Sequence, residues 1–140
     1  MKSLCSLFLI VALLSVGCGK SGPKLIPATG SVTVKGQPAG GVFILFHPSD
    51  IKQATASAVT EADGTFKLSS NGEPGILEGK YQVTLTWPDP SKKPTEAQIM
   101  MGTAEPGPDL LKGKYATKTA STLSAEITAN SVKLPPFELP

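Results

Sequence analysis

The stretch Lys80-Tyr81-Gln82-Val83-Thr84-Leu85-Thr86-Trp87 decides the class of fold. Tyr81, Val83, Leu85 and Trp87 alternate with Gln82, Thr84 and Thr86. A strand points successive side chains to opposite faces, so this period of two predicts a strand with one apolar and one polar face. Its β-branched and aromatic residues suit a pleated surface. Pro88-Asp89-Pro90 stops it, because proline lacks the N–H that a ladder needs.

Working outward, the same kind of signal recurs. Gly30 to Lys35 alternates around Val32 and Val34 and is closed by the turn-rich Gly36-Gln37-Pro38-Ala39-Gly40-Gly41. Val42-Phe43-Ile44-Leu45-Phe46 is a continuous apolar run, which predicts a central strand buried on both faces. Residues 55–60 predict a weaker strand, and Thr65 to Ser69 a strand with Phe66 and Leu68 on one face. Between these two lies Asp63-Gly64, a strong hairpin signal. Asn71 to Gly75 predicts a loop, Thr122 to Thr128 a strand, and Val132 to Leu139 a last one that Pro135 and Pro136 confine to an edge or split.

Residues 88–114 differ, with five prolines and no sustained strand pattern. One helical turn is predicted over Glu96 to Met101 and another over Asp109 to Gly113, with Asp109 as its N-cap. Trp87, Ile99, Met100 and Met101 are expected to cover an open end of the core, a binding patch being the other use for them. Seven or eight short strands with turn residues between them predict an all-β fold, a seven- or eight-stranded antiparallel β-sandwich of prealbumin-like or Ig-like type.

The first residues carry a different signal. Lys2 is followed by an apolar run from Leu4 to Val16 and then by Gly17-Cys18. Charge, apolar stretch and small residues are the order of a secretory signal. The run of about 13 residues falls short of the roughly 20 that a spanning helix needs. Leu14-Ser15-Val16-Gly17-Cys18 resembles the lipobox of bacterial lipoproteins, with Ser15 where leucine is commonest. The resemblance implies cleavage between Gly17 and Cys18, a diacylglycerol on the Cys18 sulfur and a further acyl chain such as palmitate on the new N-terminus. Several chains are needed for stable anchorage, since one holds only marginally. The division expected is a signal peptide at 1–17, a Gly/Ser/Pro-containing tether at 18–28, and a sandwich domain at 29–140 with a long irregular loop at 88–114.

Thirteen lysines, no arginine and 11 acidic residues disfavour nucleic acid, for which arginine is the usual bidentate reader. After removal of the signal neither a free thiol nor a disulfide is expected, because Cys5 leaves and Cys18 carries lipid. The single histidine, His47, reads as a solvated loop residue, and there is no Gly-x-Ser-x-Gly sequence for a triad. Glu61, Asp63 and Asp50 are the best calcium candidates, yet each sits where a turn favours an acid for its own backbone bonding. Catalytic, cofactor and metal sites are therefore not expected.

The run from Gly30 to Phe46, then Thr60-Glu61-Ala62-Asp63-Gly64-Thr65-Phe66, then Gly79-Lys80-Tyr81-Gln82-Val83-Thr84-Leu85 together resemble the carboxypeptidase regulatory-like domains, which are transthyretin-like sandwiches. Joined to the lipobox, and followed by Lys114-Tyr115, a Thr/Ser-rich strand and Phe137-Glu138-Leu139, the pattern is similar to small planctomycete-type lipoproteins. The resemblance implies structural jobs for these residues: a tight turn at Gly36 and Pro38, and core places for Phe66 and Tyr81. The hydrolase of the same fold family works through several histidines and an arginine, which this chain lacks. The expectation is a cell-envelope lipoprotein, secreted across the inner membrane and held by lipid on Cys18, at the periplasmic or surface face of the outer membrane. Its domain is expected to be non-enzymatic, with structural, adhesion or protein-interaction roles and an envelope protein as partner. The alternative is a small-ligand carrier binding at the open end of the sandwich.

Overall fold

The structure is a computed structural model that describes residues 22–140. Ten strands fall into two sheets: β1 (Thr29–Val34), β2 (Gln37–Pro38), β3 (Phe43–Pro48), β4 (Ala56–Val59), β5 (Thr65–Lys67), β6 (Ser69–Ser70), β7 (Glu73–Pro74), β8 (Gly79–Thr86), β9 (Leu123–Ile127) and β10 (Phe137–Leu139). The smaller sheet runs β10-β1-β2, with β5 also on β1; the larger runs β7-β6-β4-β3-β8-β9. The fold is the expected all-β sandwich.

The core fills the space between the sheets. Val32, Phe66, Leu134 and Leu139 come from one side; Ile44, Phe46, Tyr81, Val83, Leu85 and Ile127 come from the other. Phe46 is the hub of an aromatic cluster, with ring centroids 6.4 Å from Phe66, 6.1 Å from Tyr81 and 6.1 Å from Phe137. Gly30 pairs with Phe66 across β1 and β5, and a Cβ at Gly30 would lie 2.4 Å from the Phe66 ring. The missing side chain is the space the ring occupies. Tyr81, near the start of β8, sends its hydroxyl back to the Leu77 carbonyl at 3.0 Å. A tyrosine bonded to backbone just upstream of its strand fixes a corner in β-sandwiches.

Several local readings are corrected. The pairing is not wholly antiparallel: β1 and β10 run parallel, because the chain crosses from β9 to the other sheet before reaching β1. β3 is central but buried on one face only, since nothing layers fully over its outer side; Phe43 is 53% and Leu45 41% exposed. The connection at Asp63-Gly64 does not join paired strands. Gly64 N–H bonds to Glu61 O, only Gly64 of the two has positive φ, and the chain passes from β4 in one sheet to β5 in the other. The two-residue hairpins lie elsewhere. Lys35-Gly36 (φ 51 and 77) joins β1 to β2, so Pro38 lies in the second strand and not in the turn. Asn71-Gly72 (φ 52 and 82), expected as loop, joins β6 to β7. Two successive positive φ values are what a type I′ turn requires. Residues 116–121 form turns and not strand, closed by Ser121 N–H on Thr117 O. Packing begins at Ile26, the earlier of the two starts that the sequence allows, Ile26 and Thr29; it is buried and bonded both ways to Ile76.

Candidate functional site

β8 ends at Thr86, and the proline-rich segment begins two residues later. Its ends are clasped: Pro88 bridges Asp109, Leu110 N–H donates to Trp87 O at 2.8 Å, and Asp89 N–H to Pro108 O at 3.0 Å. Asp109 strengthens the clasp, its carboxylate accepting from the N–H groups of Trp87 (2.9 Å), Leu111 (3.0 Å) and Gly113 (2.8 Å). It caps as expected, but residues 110–113 form a turn rather than a helix. Trp87 Nε1–H donates to Gly40 O at 2.9 Å, tying the loop base to the entry of β3. A long connection of this kind, closed at its base, is often functional.

Inside the loop, Pro90–Lys92 makes a 3₁₀ turn and Glu96–Met100 the one α-helix of the described residues, α1. Thr95 and Gln98 form a reciprocal capping box that starts α1. The expected core-covering role of Ile99, Met100 and Met101 is not realised; they are 59%, 88% and 69% exposed. None of the five residues of α1 is buried. The end of the core is closed by Trp87, Leu111 and Tyr115 instead.

Between loop and sheet lies a groove of about 760 Å³. Phe43 and Val59, directly paired across β3 and β4, form its floor. Pro88, Pro90, Pro94 and Pro106 form the wall, and Asp89, Lys93 and Glu105 are its charged residues. Gly107 lets the wall close, since a Cβ there would lie 2.8 Å from Asp89 O. The Asp89 carboxyl is held below its ordinary pKa by the Ser91 hydroxyl and backbone N–H, so it is ionised at neutral pH. The surface this groove offers is mainly hydrocarbon.

Elsewhere the polar groups serve the fold. His47 is half-buried on the outer face of β3, not in a loop, with Nε2 3.0 Å from Thr84 Oγ1. Burial, and secondarily the charge of Lys118, lowers its pKa. Asp63 accepts from the Thr65 hydroxyl and N–H, which lower its pKa, and Asp50 accepts from Lys52 N–H. Among the described residues no three of His, Cys, Asp and Glu converge to hold a metal ion, and every buried side-chain nitrogen or oxygen has a partner.

The sequence-derived site residues Gly17 and Cys18 lie outside the described residues. No helix among the described residues is long and apolar enough to cross a membrane. The groove residues Phe43 and Val59 were not singled out by sequence. Phe43 sits in a run apolar at both parities, which conceals the exposed face. No family model, curated protein or solved structure matches the chain.

Proposed function

We propose that the chain is a lipid-anchored cell-envelope protein with a non-enzymatic β-sandwich, cleaved between Gly17 and Cys18 and acylated on Cys18, which offers its proline-walled groove to an apolar segment of an envelope partner. The observation that carries this is the polarity of the molecule. The N-terminal segment enters beside Asn71, Pro74 and Leu77, before β8 begins, and the groove opens where β8 ends. Eight residues of strand separate these poles by about 25 Å. A domain held at one pole presents the other away from the anchoring membrane.

Two substitutions test the two halves. Cys18→Ser is expected to move the protein from the membrane to the soluble fraction; unchanged retention would sink the anchor. Phe43→Ser is expected to cost about 1 kcal/mol, because about half of the side chain is buried, which leaves the domain folded. It should abolish specific co-purification of a partner with the lipidated protein from its own membranes. Equal recovery with both forms would count against the groove.

The carrier reading has one observation in its favour: about 760 Å³ lies within the range of small-molecule sites. Such sites usually add a few convergent polar groups to an apolar lining. Uptake of an apolar small molecule, lost in Phe43→Ser, would favour this reading over the partner.

A further inference from the structure

Two Asx-Gly pairs occupy turns, Asp63-Gly64 and Asn71-Gly72, and the other asparagine, Asn130, precedes Ser131. All three place a side-chain carbonyl next to a following backbone nitrogen that can attack it and close a five-membered succinimide. Their surroundings separate them. At Asp63 the carboxylate is ionised and held by Thr65 at 2.6 and 3.0 Å. The attacking nitrogen of buried Gly64 donates to Glu61 O at 2.9 Å, and Gly64 O accepts from Val32 N–H at 2.8 Å. At Asn130 the attacking nitrogen, that of Ser131, donates to Thr128 O at 2.9 Å, and the Ser131 hydroxyl accepts from Thr128 N–H at 2.9 Å. At Asn71 both residues are exposed. Neither the Asn71 side-chain amide nor the Gly72 N–H has a hydrogen-bond partner among the described residues, and no atom beyond its two chain neighbours lies within 4 Å of where a Gly72 Cβ would be.

We propose that Asn71 is a site of spontaneous deamidation, converting to aspartate and isoaspartate in the folded protein. The Gly72 nitrogen gives its proton to solvent base and bonds to Asn71 Cγ. The bond from Cγ to the side-chain nitrogen breaks, and ammonia leaves. Water then opens the ring at either carbonyl, and opening on the main-chain side leaves an extra methylene in the backbone. Bringing Asn71 Cγ to the Gly72 nitrogen requires rotation about the Asn71 Cα–C and Cα–Cβ bonds away from the turn conformation, which this hairpin permits at low cost. Each arm has two residues, β7 is the edge of its sheet, and Pro74 has no N–H to add to the ladder. The product places a carboxylate beside Glu73, in the depression also lined by Gly22, Pro23 and Leu25. The extra methylene breaks the two-residue count on which the I′ turn and the β6–β7 register depend.

The full chain, incubated at mildly alkaline pH and digested, tests this by peptide mass and by enzymatic methylation of isoaspartate. The peptide holding Asn71 is expected to gain one mass unit and to accept methyl groups several times faster than the peptides holding Asn130 or Asp63. The gain should slow sharply at mildly acidic pH and vanish in Asn71→Gln. A urea-unfolded sample is the reference. Conversion of Asn71 only when unfolded, or conversion of Asn130 in the folded chain at the same rate, would overturn the proposal. No conversion in either state would overturn it as well.

Discussion

At the scale of single residues, Gly30, Tyr81 and His47 show the interior setting rules that the surface does not. Gly30→Ala forces a methyl group to 2.4 Å from the Phe66 ring, and the ring is locked in the cluster around Phe46. Overpacking of this kind costs about 1–3 kcal/mol, to be read as a lower denaturant midpoint with an unchanged slope. Tyr81→Phe keeps the ring and removes the hydroxyl bonds to Leu77 O and Gln53 Oε1. A loss of about 1 kcal/mol is expected, with faster amide exchange in residues 77–79. His47 gives a pH dependence of definite sign. Its folded pKa lies below the ordinary 6.5 because burial penalises the charged form. In the window just below 6.5 the unfolded chain binds more protons, so stability is full above that value and falls as pH drops through the folded pKa. His47→Gln should flatten the stability profile in that window. Asp63 and Asp89, with lowered pKa values, act only below 3.8, where stability falls as their carboxylates protonate. A profile unaltered by His47→Gln would show that His47 does not feel its surroundings this way.

At the scale of elements, what could be read in advance was what periodicity records. Strand β8 declared its inner face through Tyr81, Val83 and Leu85, all buried. β9 did so through Leu123, Ala125 and Ile127. Period does not record which strands pair, so Asp63-Gly64 looked like a hairpin although the chain there changes sheets. Lys35-Gly36 was obscured because lysine seldom takes positive φ. The parallel β1–β10 pair joins residues about a hundred positions apart, beyond any local signal. The proline-rich loop was legible as an exception, through its prolines, but its clasp was not, because Asp109 meets Trp87 only in the folded chain. Asp109→Ala would leave three N–H groups without their acceptor, at a cost of about 1–3 kcal/mol. Hydrogen exchange should quicken at Trp87, Leu111 and Gly113 while the β3–β8 ladder stays protected. Protection unchanged at those three amides would mean that Pro88, Trp87 and Leu110 close the loop unaided.

At the scale of the whole molecule, the sandwich was foreseeable from composition and alternation, and the groove was not. A groove is a relation between surfaces far apart in sequence: Phe43 and Val59 from the sheet, Pro94 and Pro106 from the loop. Each is ordinary alone. The division of the molecule into poles also needs topology, because it depends on β8 carrying the chain from one end to the other. The same topology governs how the domain bears load. Strand β1 comes directly after the N-terminal segment, and its ladder contacts with β10 on one edge and with β5 and β2 on the other hold it along its length. A pull on the N-terminal segment along the direction of β1 would meet hydrogen bonds that lie across the line of force. Beyond the Ile26–Ile76 bridge they would be loaded together in shear instead of being unzipped singly.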